Sequence, residues 1–561
     1  KTLLNNVFCR NLSRAKYKLI FVGVGEVGKT ELAEAISNQA YHFEPGRETT
    51  KGIRIQQWQP ENCTLEGENL DFTANIWDFA GQEINYGTHQ FFLTKNSVYV
   101  FVWTTRKGEN NSDFNYWLRI VSLLSNNSPV FVVQNKVDEY RGEINQQKWK
   151  ERFDNIRGFL KTSCATKEGI DTLREQIKST LIGLPHIKEI WNKHRLAVRK
   201  FLEYHGEDYI SHTEYLQICQ QHQVNEIDSG YLSQQLNDIG VILYFSDDTY
   251  LKNTVVLKPQ WATEAAYLLR DSDIVKAGKF HTKNLAKVWG TDRFRTQHPF
   301  LLRLMERFEL IFRLQESEEY IIPDLLPPKE PIQVKEVKAE ADTPRHLHFE
   351  YHYEFMPKGI LSRFICRMHE HIYQSQYWRY GVVLEFDESF AKINWDDTAV
   401  INTIKIEVWG AEANHLLWMI RKQFKQIHKK LNNLPVQQKV PCVCPADCPH
   451  KGDPYLHDYD DLRKFKTKGR RTRECPKSID DVSIDAMLEG IIDQPIKGSQ
   501  YFVDLVAKGE IDSFFEELKV IGITKNQLAQ LQDEYVHNGG DAKFAQRLTV
   551  WVRKHFEEER F

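Results

Sequence analysis

Four short runs in this chain carry side chains whose types and spacing could do chemistry on one ligand. The first is Gly23-Val-Gly-Glu-Val-Gly-Lys-Thr30, a GxxxxGK[ST] pattern. Its glycines let backbone N–H groups converge on phosphates at the start of a helix, where the helix dipole also favours anions. Gly23, Gly25, Glu26, Val27 and Gly28 would form that cradle, and Glu31 opens the helix behind it. Lys29 would reach the β- and γ-phosphates, and the Thr30 hydroxyl would ligate Mg²⁺. The second run, Asp78-Phe-Ala-Gly-Gln-Glu83, follows an alternating strand. Asp78 can hold Mg²⁺ through water, the Gly81 N–H can face the γ-phosphate, and Gln82 can orient an attacking water.

The third run, Asn135-Lys136-Val-Asp138, ends a buried strand and would choose the base. The Asp138 carboxylate can accept from guanine N1–H and the N2 amine, and adenine offers neither donor. A site built around a buried acceptor rejects a ligand that leaves it unpaired. The fourth, Thr162-Ser163-Cys164-Ala165, falls where a base-contacting loop is expected before a helix. In this order the four runs imply GTP and GDP as ligands, with Mg²⁺ as cofactor.

A second cluster has another chemistry. Cys442, Cys444, Cys448 and Cys475 lie close in sequence, with His450 and His457 between them. Four thiols flanked by Pro and Gly suit structural Zn²⁺, although C-x-C-x₃-C is not the usual CxxC knuckle. The alternative is a small bridge with unligated thiols. Inside the cluster, between Cys448 and Cys475, lie seven basic residues, from Arg463 to Arg473. They read as a solvated face, with an RNA or membrane contact as the competing reading.

The elements that must position these residues follow from periodicity. Lys18–Val22, Val98–Trp103 and Val130–Val133 have the length of buried parallel strands, and Leu70–Trp77 alternates as a half-buried one. Helices are expected over Glu31–Asn38 and Ile170–Ile177. Beyond Gly183 the pattern is mostly helical, with Ser211-His-Thr-Glu214 as a capping box and Asp228 capping a second helix. A strand pair at Val241–Phe245 and Thr254–Leu257 completes a winged-helix-like unit. Its would-be recognition helix, Ser229–Ile239, lacks Lys and Arg, so DNA binding is not expected there. Prolines 323, 327, 328, 331 and 344 bracket a charged linker. Then Leu347–Phe355 alternates strictly, a helix follows Pro357, and three strands precede a helix over Asn414–Leu431, an α+β unit. The last stretch reads as four short amphipathic helices whose bundle would recruit an adaptor or effector partner, or dock on its own chain.

Composition sets the frame. The 561 residues are 41% hydrophobic and 12% aromatic, enough for several packed domains and too ordered for wholesale disorder. A net charge of −3 gives no global pull toward nucleic acid or acidic membranes. No stretch of roughly 18 apolar residues exists, so no membrane span is expected. Scattered single cysteines read as reduced thiols, which points to the cytoplasm. The chain opens on Lys1 with no signal peptide, as a piece of a longer protein would.

The four nucleotide runs resemble the Ras superfamily, and more closely the Roc domain of the Roco family, in the form of a bacterial member. Thr50-Lys-Gly-Ile-Arg-Ile-Gln-Gln-Trp58 and Thr88-His-Gln-Phe-Phe-Leu-Thr-Lys-Asn-Ser-Val-Tyr-Val100 carry that likeness. It implies that Thr50 closes on Mg²⁺ and the γ-phosphate, with Thr49 as a rival, and that Lys29, Thr50 and Gln82 serve hydrolysis. Cys164-Ala165 departs from the usual Ala-Lys. Phe355-Met-Pro-Lys-Gly-Ile-Leu-Ser-Arg-Phe364 and Trp378-Arg-Tyr-Gly-Val-Val383 resemble the second half of the COR domain. The expected fold is therefore multidomain α/β and α+β. A linker (1–15) leads into a Ras-like P-loop GTPase domain (16–183) and a winged-helix-like COR-A (184–326). A second linker (327–345), an α+β COR-B (346–433), a small Cys-rich module (434–490) and a C-terminal helical bundle (491–561) follow. The resemblance implies a GTP-hydrolysing switch and a homodimer through COR. Competing readings are a nucleotide-binding scaffold without turnover and a GTP-gated nucleic-acid binder. No kinase motifs follow the Roc segment.

Overall fold

The structure is a computed structural model. It describes residues 16–491 apart from 45, 47–51, 62, 66–67, 70–71, 80–96, 106–110, 126, 185–191, 315–316, 333–345, 397–400, 445–452 and 490. The expected helical bundle beyond 491, Thr50, Gly81, Gln82 and Cys448 thus lie outside the described residues.

The first domain is a sheet wrapped by helices. Its elements are β1 (Lys16–Val22), α1 (Lys29–Ser37), β2 (Ile53–Trp58), β3 (Thr73–Phe79), β4 (Ser97–Trp103) and α2 (Asn111–Leu124). They continue through β5 (Val130–Gln134), α3 (Gln146–Arg152), β6 (Ile156–Lys161) and α4 (Ile170–Ile182). The strand order is β2-β3-β1-β4-β5-β6, parallel except for the β2–β3 pair. Because strand side chains alternate between faces, a sheet covered on both sides needs apolar residues at nearly every position. In β1, Leu19 and Phe21 pack in one core with Leu32 and Ile36 of α1 and with Leu173 and Ile177 of α4. Ile20 and Val22 face the other core, with Phe114, Trp117 and Val121 of α2.

The next unit holds α5 (Lys193–Glu203), β7 (Tyr209–Ser211), α6 (His212–Gln221), α7 (Glu226–Asp238), β8 (Thr254–Val256) and α8 (Pro259–Arg270). Ser211 caps α6 as its sequence implies, its hydroxyl accepting from the Glu214 N–H at 3.1 Å. The cap of α7 is a correction. Asn225, three residues before Asp228, accepts from the Asp228 N–H at 2.8 Å and leaves Asp228 inside the first turn. The strand partner also differs, since β8 pairs with β7 while Val241–Phe245 contributes a single bridge, Leu243 to Val256. The unit closes on β9 (Lys279–His281), α9 (His298–Arg307), β10 (Phe312–Arg313) and β11 (Glu319–Ile321), in the sheet order β9-β11-β10.

The last described unit is a seven-stranded antiparallel sheet. It contains β12 (His346–Tyr353), α10 (Ile360–Arg367), β13 (Ile372–Trp378), β14 (Gly381–Phe386), β15 (Ser389–Asp396), β16 (Asn402–Trp409) and α11 (Ala413–Lys430). To these it adds β17 (Gln437–Pro441) and β18 (Leu456–Asp458), in the order β13-β14-β15-β16-β12-β17-β18. Strand β13 has no counterpart in the sequence reading. Gln374 and Ser375 take positive φ (41° and 58°) and the pairing with β14 slips between Ile372 and Tyr377, so a bulge breaks the alternation that would announce it. Pro357 lies before α10, which starts beyond Gly359 in the left-handed conformation (φ 88°).

The 434–490 segment is not a separate module. Strand β17 pairs with β12 and extends the sheet, and α12 (Tyr459–Thr467), β19 (Thr472–Glu474), β20 (Asp481–Ser483) and α13 (Ile484–Leu488) complete it. Tyr459, Leu462, Val482 and Met487 share one core with Phe349 and Tyr351 of the sheet. Shared apolar burial removes the boundary that a compositional shift implied.

Candidate functional site

Strand β1 delivers the chain into the glycine loop. A Cβ on Gly23 would stand 2.2 Å from the Val102 carbonyl oxygen of β4, so only glycine lets the loop leave the sheet here. Glu26 (φ 66°) and Gly28 (φ 82°) take left-handed backbone, which curls 23–28 into a loop. Gly28 is the N-cap of α1 and offers no capping side chain, leaving the first-turn N–H groups aimed along the helix axis into the loop. Lys29 is buried and its ammonium folds across the loop, donating to the carbonyls of Gly23 (3.0 Å) and Val24 (2.8 Å). The Thr30 hydroxyl donates to Asp78 Oδ2 at 2.6 Å. A hydroxyl from α1 and a buried carboxylate from the end of β3 therefore meet beside the loop, and two hard oxygens suit a small divalent cation such as Mg²⁺.

The side that carries Asn135, Lys136 and Asp138 is built from β5 and β6. Asn135 is buried and its amide donates to the carbonyls of Val27 (3.1 Å) and Gly28 (3.3 Å), tying the two runs together across the sheet. A Cβ on Gly28 would strike that amide at 2.5 Å. Thr162, at the end of β6, donates its hydroxyl to Asn135 Oδ1 at 3.1 Å, a partnership that no motif announces. Beyond Asn135, Lys136 takes a left-handed φ of 61°, and Asp138 is exposed in the turn that follows. The Val137 N–H donates to the Thr162 carbonyl at 3.2 Å, which draws the Asp138 turn and the 162–165 loop together. Ser163 and Cys164 are buried and Ala165 is exposed. Burial pushes the Cys164 thiol up to about 12; Glu31 and Asp138 add to this while Asn135 and Lys136 oppose it. A thiol so held is neutral and serves packing, not nucleophilic chemistry.

The domain's surroundings touch the same region. A Cβ on Gly52, the first described residue after 47–51, would come within 2.9 Å of the Tyr267 ring of α8. Buried Lys18 of β1 lies 3.8 Å over the Trp77 ring, and burial lowers its ammonium to about 7. On α2, Arg119 pairs with Glu354 beside β12, and Tyr116 packs on Phe355 at 5.7 Å.

Three of the four clustered cysteines come together, and Cys448 and His450 lie outside the described residues. Cys442 follows β17, Cys475 follows β19, and both are buried. Cys444 Sγ stands 3.1 Å from Cys442 Sγ and 3.5 Å from Cys475 Sγ. His457 of β18, which lies between the cysteines in sequence, is fully buried beside them. The basic run is partly occupied: Lys464 pairs with Asp461, Lys466 with Asp485, and Arg470 and Arg473 stack on Phe465 at 5.1 Å each.

Fold and site together define a Ras-like P-loop nucleotide-binding domain joined to a two-part companion. Three family models match in succession. They are "Ras of Complex, Roc, domain of DAPkinase" over 18–138, "C-terminal of Roc, COR-A domain" over 189–326, and "C-terminal of Roc, COR-B domain" over 344–490. The chain belongs to the Roco family, with the Roc–COR tandem that defines it. It is 27% identical over 468 residues to the probable serine/threonine-protein kinase pats1 of Dictyostelium discoideum, covering 76% of this chain and 14% of that protein. It is 27% identical over 444 residues to a Roc-COR-CHAT protease of Runella zeae, covering 75% and 47%. It thus spans less than half the length of these relatives. A solved structure, Methanosarcina barkeri Roco2 RocCORdC bound to GDP, is 32% identical and covers 55% of this chain and 96% of that one, with a TM-score of 0.48. Among the described residues no helix is long and apolar enough to cross a membrane.

Proposed function

We propose that this chain binds GTP and hydrolyses it as a molecular switch, and that its nucleotide state is coupled to dimerisation through COR and to an output partner. One observation carries the reading: the Asn135 amide bridges to the carbonyls of Val27 and Gly28, so the base-selecting run and the phosphate loop are one connected site. Gly23, Gly25, Glu26, Val27, Gly28 and Lys29 would hold the phosphates, with Glu31 behind them. Asn135, Lys136, Asp138, Ser163, Cys164 and Ala165 would hold the guanine. Thr30 and Asp78, joined by a 2.6 Å hydrogen bond, would hold Mg²⁺, which when bound neutralises β- and γ-phosphate charge. Thr50, Gly81 and Gln82 complete the proposed set on the γ-phosphate side.

Coupling has a physical route. Gly52 follows directly on the stretch that carries Thr50, and it lies against Tyr267 of COR-A. A movement of that stretch with the γ-phosphate would press on, or release, a buried ring of the neighbouring domain.

Phosphate release from GTP by the purified chain tests turnover. The wild type should release phosphate, and Gln82→Leu should bind GTP as tightly while losing most of the rate, because only the positioning of water changes. Absence of release by the wild type would leave a nucleotide-binding scaffold.

A further inference from the structure

We propose that Cys442, Cys444, His457 and Cys475 form a Cys₃His zinc site that fastens the β19–β20 ribbon to the edge of the COR-B sheet. The ligand atoms of Cys442, His457 and Cys475 all lie within 4.8 Å of one another. Cys444 Sγ adds a fourth donor at 3.1 Å from Cys442 Sγ and 3.5 Å from Cys475 Sγ. Tetrahedral zinc with Zn–S bonds of about 2.3 Å separates its sulfurs by about 3.7 Å, so the donors already stand near the edge lengths of that polyhedron.

The imidazole supplies an independent observation. His457 has no exposed surface, and neither of its ring nitrogens has a hydrogen-bond partner among the described residues. Buried polar groups are almost always satisfied, and leaving one unsatisfied costs free energy. A lone pair directed at a cation removes that penalty for one ring nitrogen, and it explains a buried histidine among three thiols.

Sulfur and imidazole together select zinc over the hard cations that prefer oxygen. The donors come from the end of β17, from β18, and from the turn after β19, so one ion would cross-link three segments. The sheet edge at β17–β18 is held by only three register pairs, Lys439–Asp458 through Pro441–Leu456. A coordination bond there would fix the segment more firmly than its short ladder does. This ligand set has His457 where the sequence reading had Cys448, a residue outside the described ones.

Metal analysis and zinc-edge X-ray absorption on the full chain, purified without added metal, test the site. The expected result is one zinc per chain with three sulfurs near 2.3 Å and one nitrogen near 2.0–2.1 Å, the distances usual for zinc. Cys448→Ser should keep that stoichiometry, His457→Cys should keep it with a fourth sulfur, and His457→Ala should lose most of the metal. If His457→Ala does not fold, the wild-type shell and Cys448→Ser decide alone. A folded, zinc-free wild type, a four-sulfur wild-type shell, or loss of zinc in Cys448→Ser would each overturn the proposal.

Discussion

At the scale of single residues, the proposed switch assigns base identity to Asp138 and phosphate grip to Lys29 and Thr30. Asp138→Asn replaces a charged double acceptor with an amide whose donor faces the guanine amine. Charged hydrogen bonds contribute about 1.5–3 kcal/mol each, so GTP affinity should fall by roughly two orders of magnitude or more. Xanthine carries a carbonyl where guanine carries the amine, so the variant should prefer XTP. Competition among GTP, XTP and ATP measures this, and a variant that still prefers GTP would remove Asp138 as the base reader. Lys29→Ala and Thr30→Asn should lose GTP binding in the same assay while the melting profile stays near that of the wild type; unchanged affinity in both would displace the phosphate site. These residues were legible in the sequence because each motif ends a buried strand, and a strand end fixes where the next side chains go. Thr162 and His457 stood out in the sequence only by position, and their partnerships were not legible. Their partners lie 27 residues away across two parallel strands in one case, and in a neighbouring hairpin in the other, and no local pattern records such pairings.

At the scale of elements, the COR-B sheet carries a buried carboxylate that makes its stability depend on pH. Glu350 of β12 sits between His348 (2.8 Å) and His352 (2.6 Å), with Lys405 and Lys439 as its cross-strand neighbours. Burial raises its pKa, but hydrogen bonds and charge from the two histidines outweigh this and hold it at about 2, below the usual 4.5. A folded pKa below the unfolded one means stability that is complete above about pH 4.5 and lost as pH falls toward 2. The gap corresponds to roughly 3 kcal/mol across that window. Urea melts from pH 6 to pH 2 should show the loss in the wild type and a flatter profile in Glu350→Gln; equal slopes would refute the assignment. The elements themselves were readable where periodicity is clean, as in β1, β4, β5 and α11. They were missed where the backbone interrupts it: the bulge at Gln374 and Ser375 hid β13. The apolar contacts that join 434–490 to the sheet are likewise long-range, whereas its cysteine and charge content suggested independence.

At the scale of the whole molecule, the Roc domain meets its companions at several places. Gly52 lies on Tyr267 of COR-A, Arg119 pairs with Glu354 of COR-B, and Tyr116 packs on Phe355. Between the COR halves, Glu309 pairs with Arg367 at 2.7 Å and with Lys430 at 3.0 Å; burial alone would raise its pKa, but these cations hold it low. Packed interfaces of this kind have discrete arrangements, so a shift at one side of the nucleotide can be passed on as a change of docking. A ligand moves such an equilibrium only by its difference in affinity for the two states. The central claim is that the nucleotide sets the assembly state of the chain. The solution mass of the purified protein, measured without nucleotide, with GDP and with a non-hydrolysable GTP analogue over one concentration series, tests it most directly. The account predicts a monomer–dimer equilibrium whose midpoint shifts several-fold between the GDP and GTP-analogue forms. Identical mass in all three states, with nucleotide verified as bound, would contradict it.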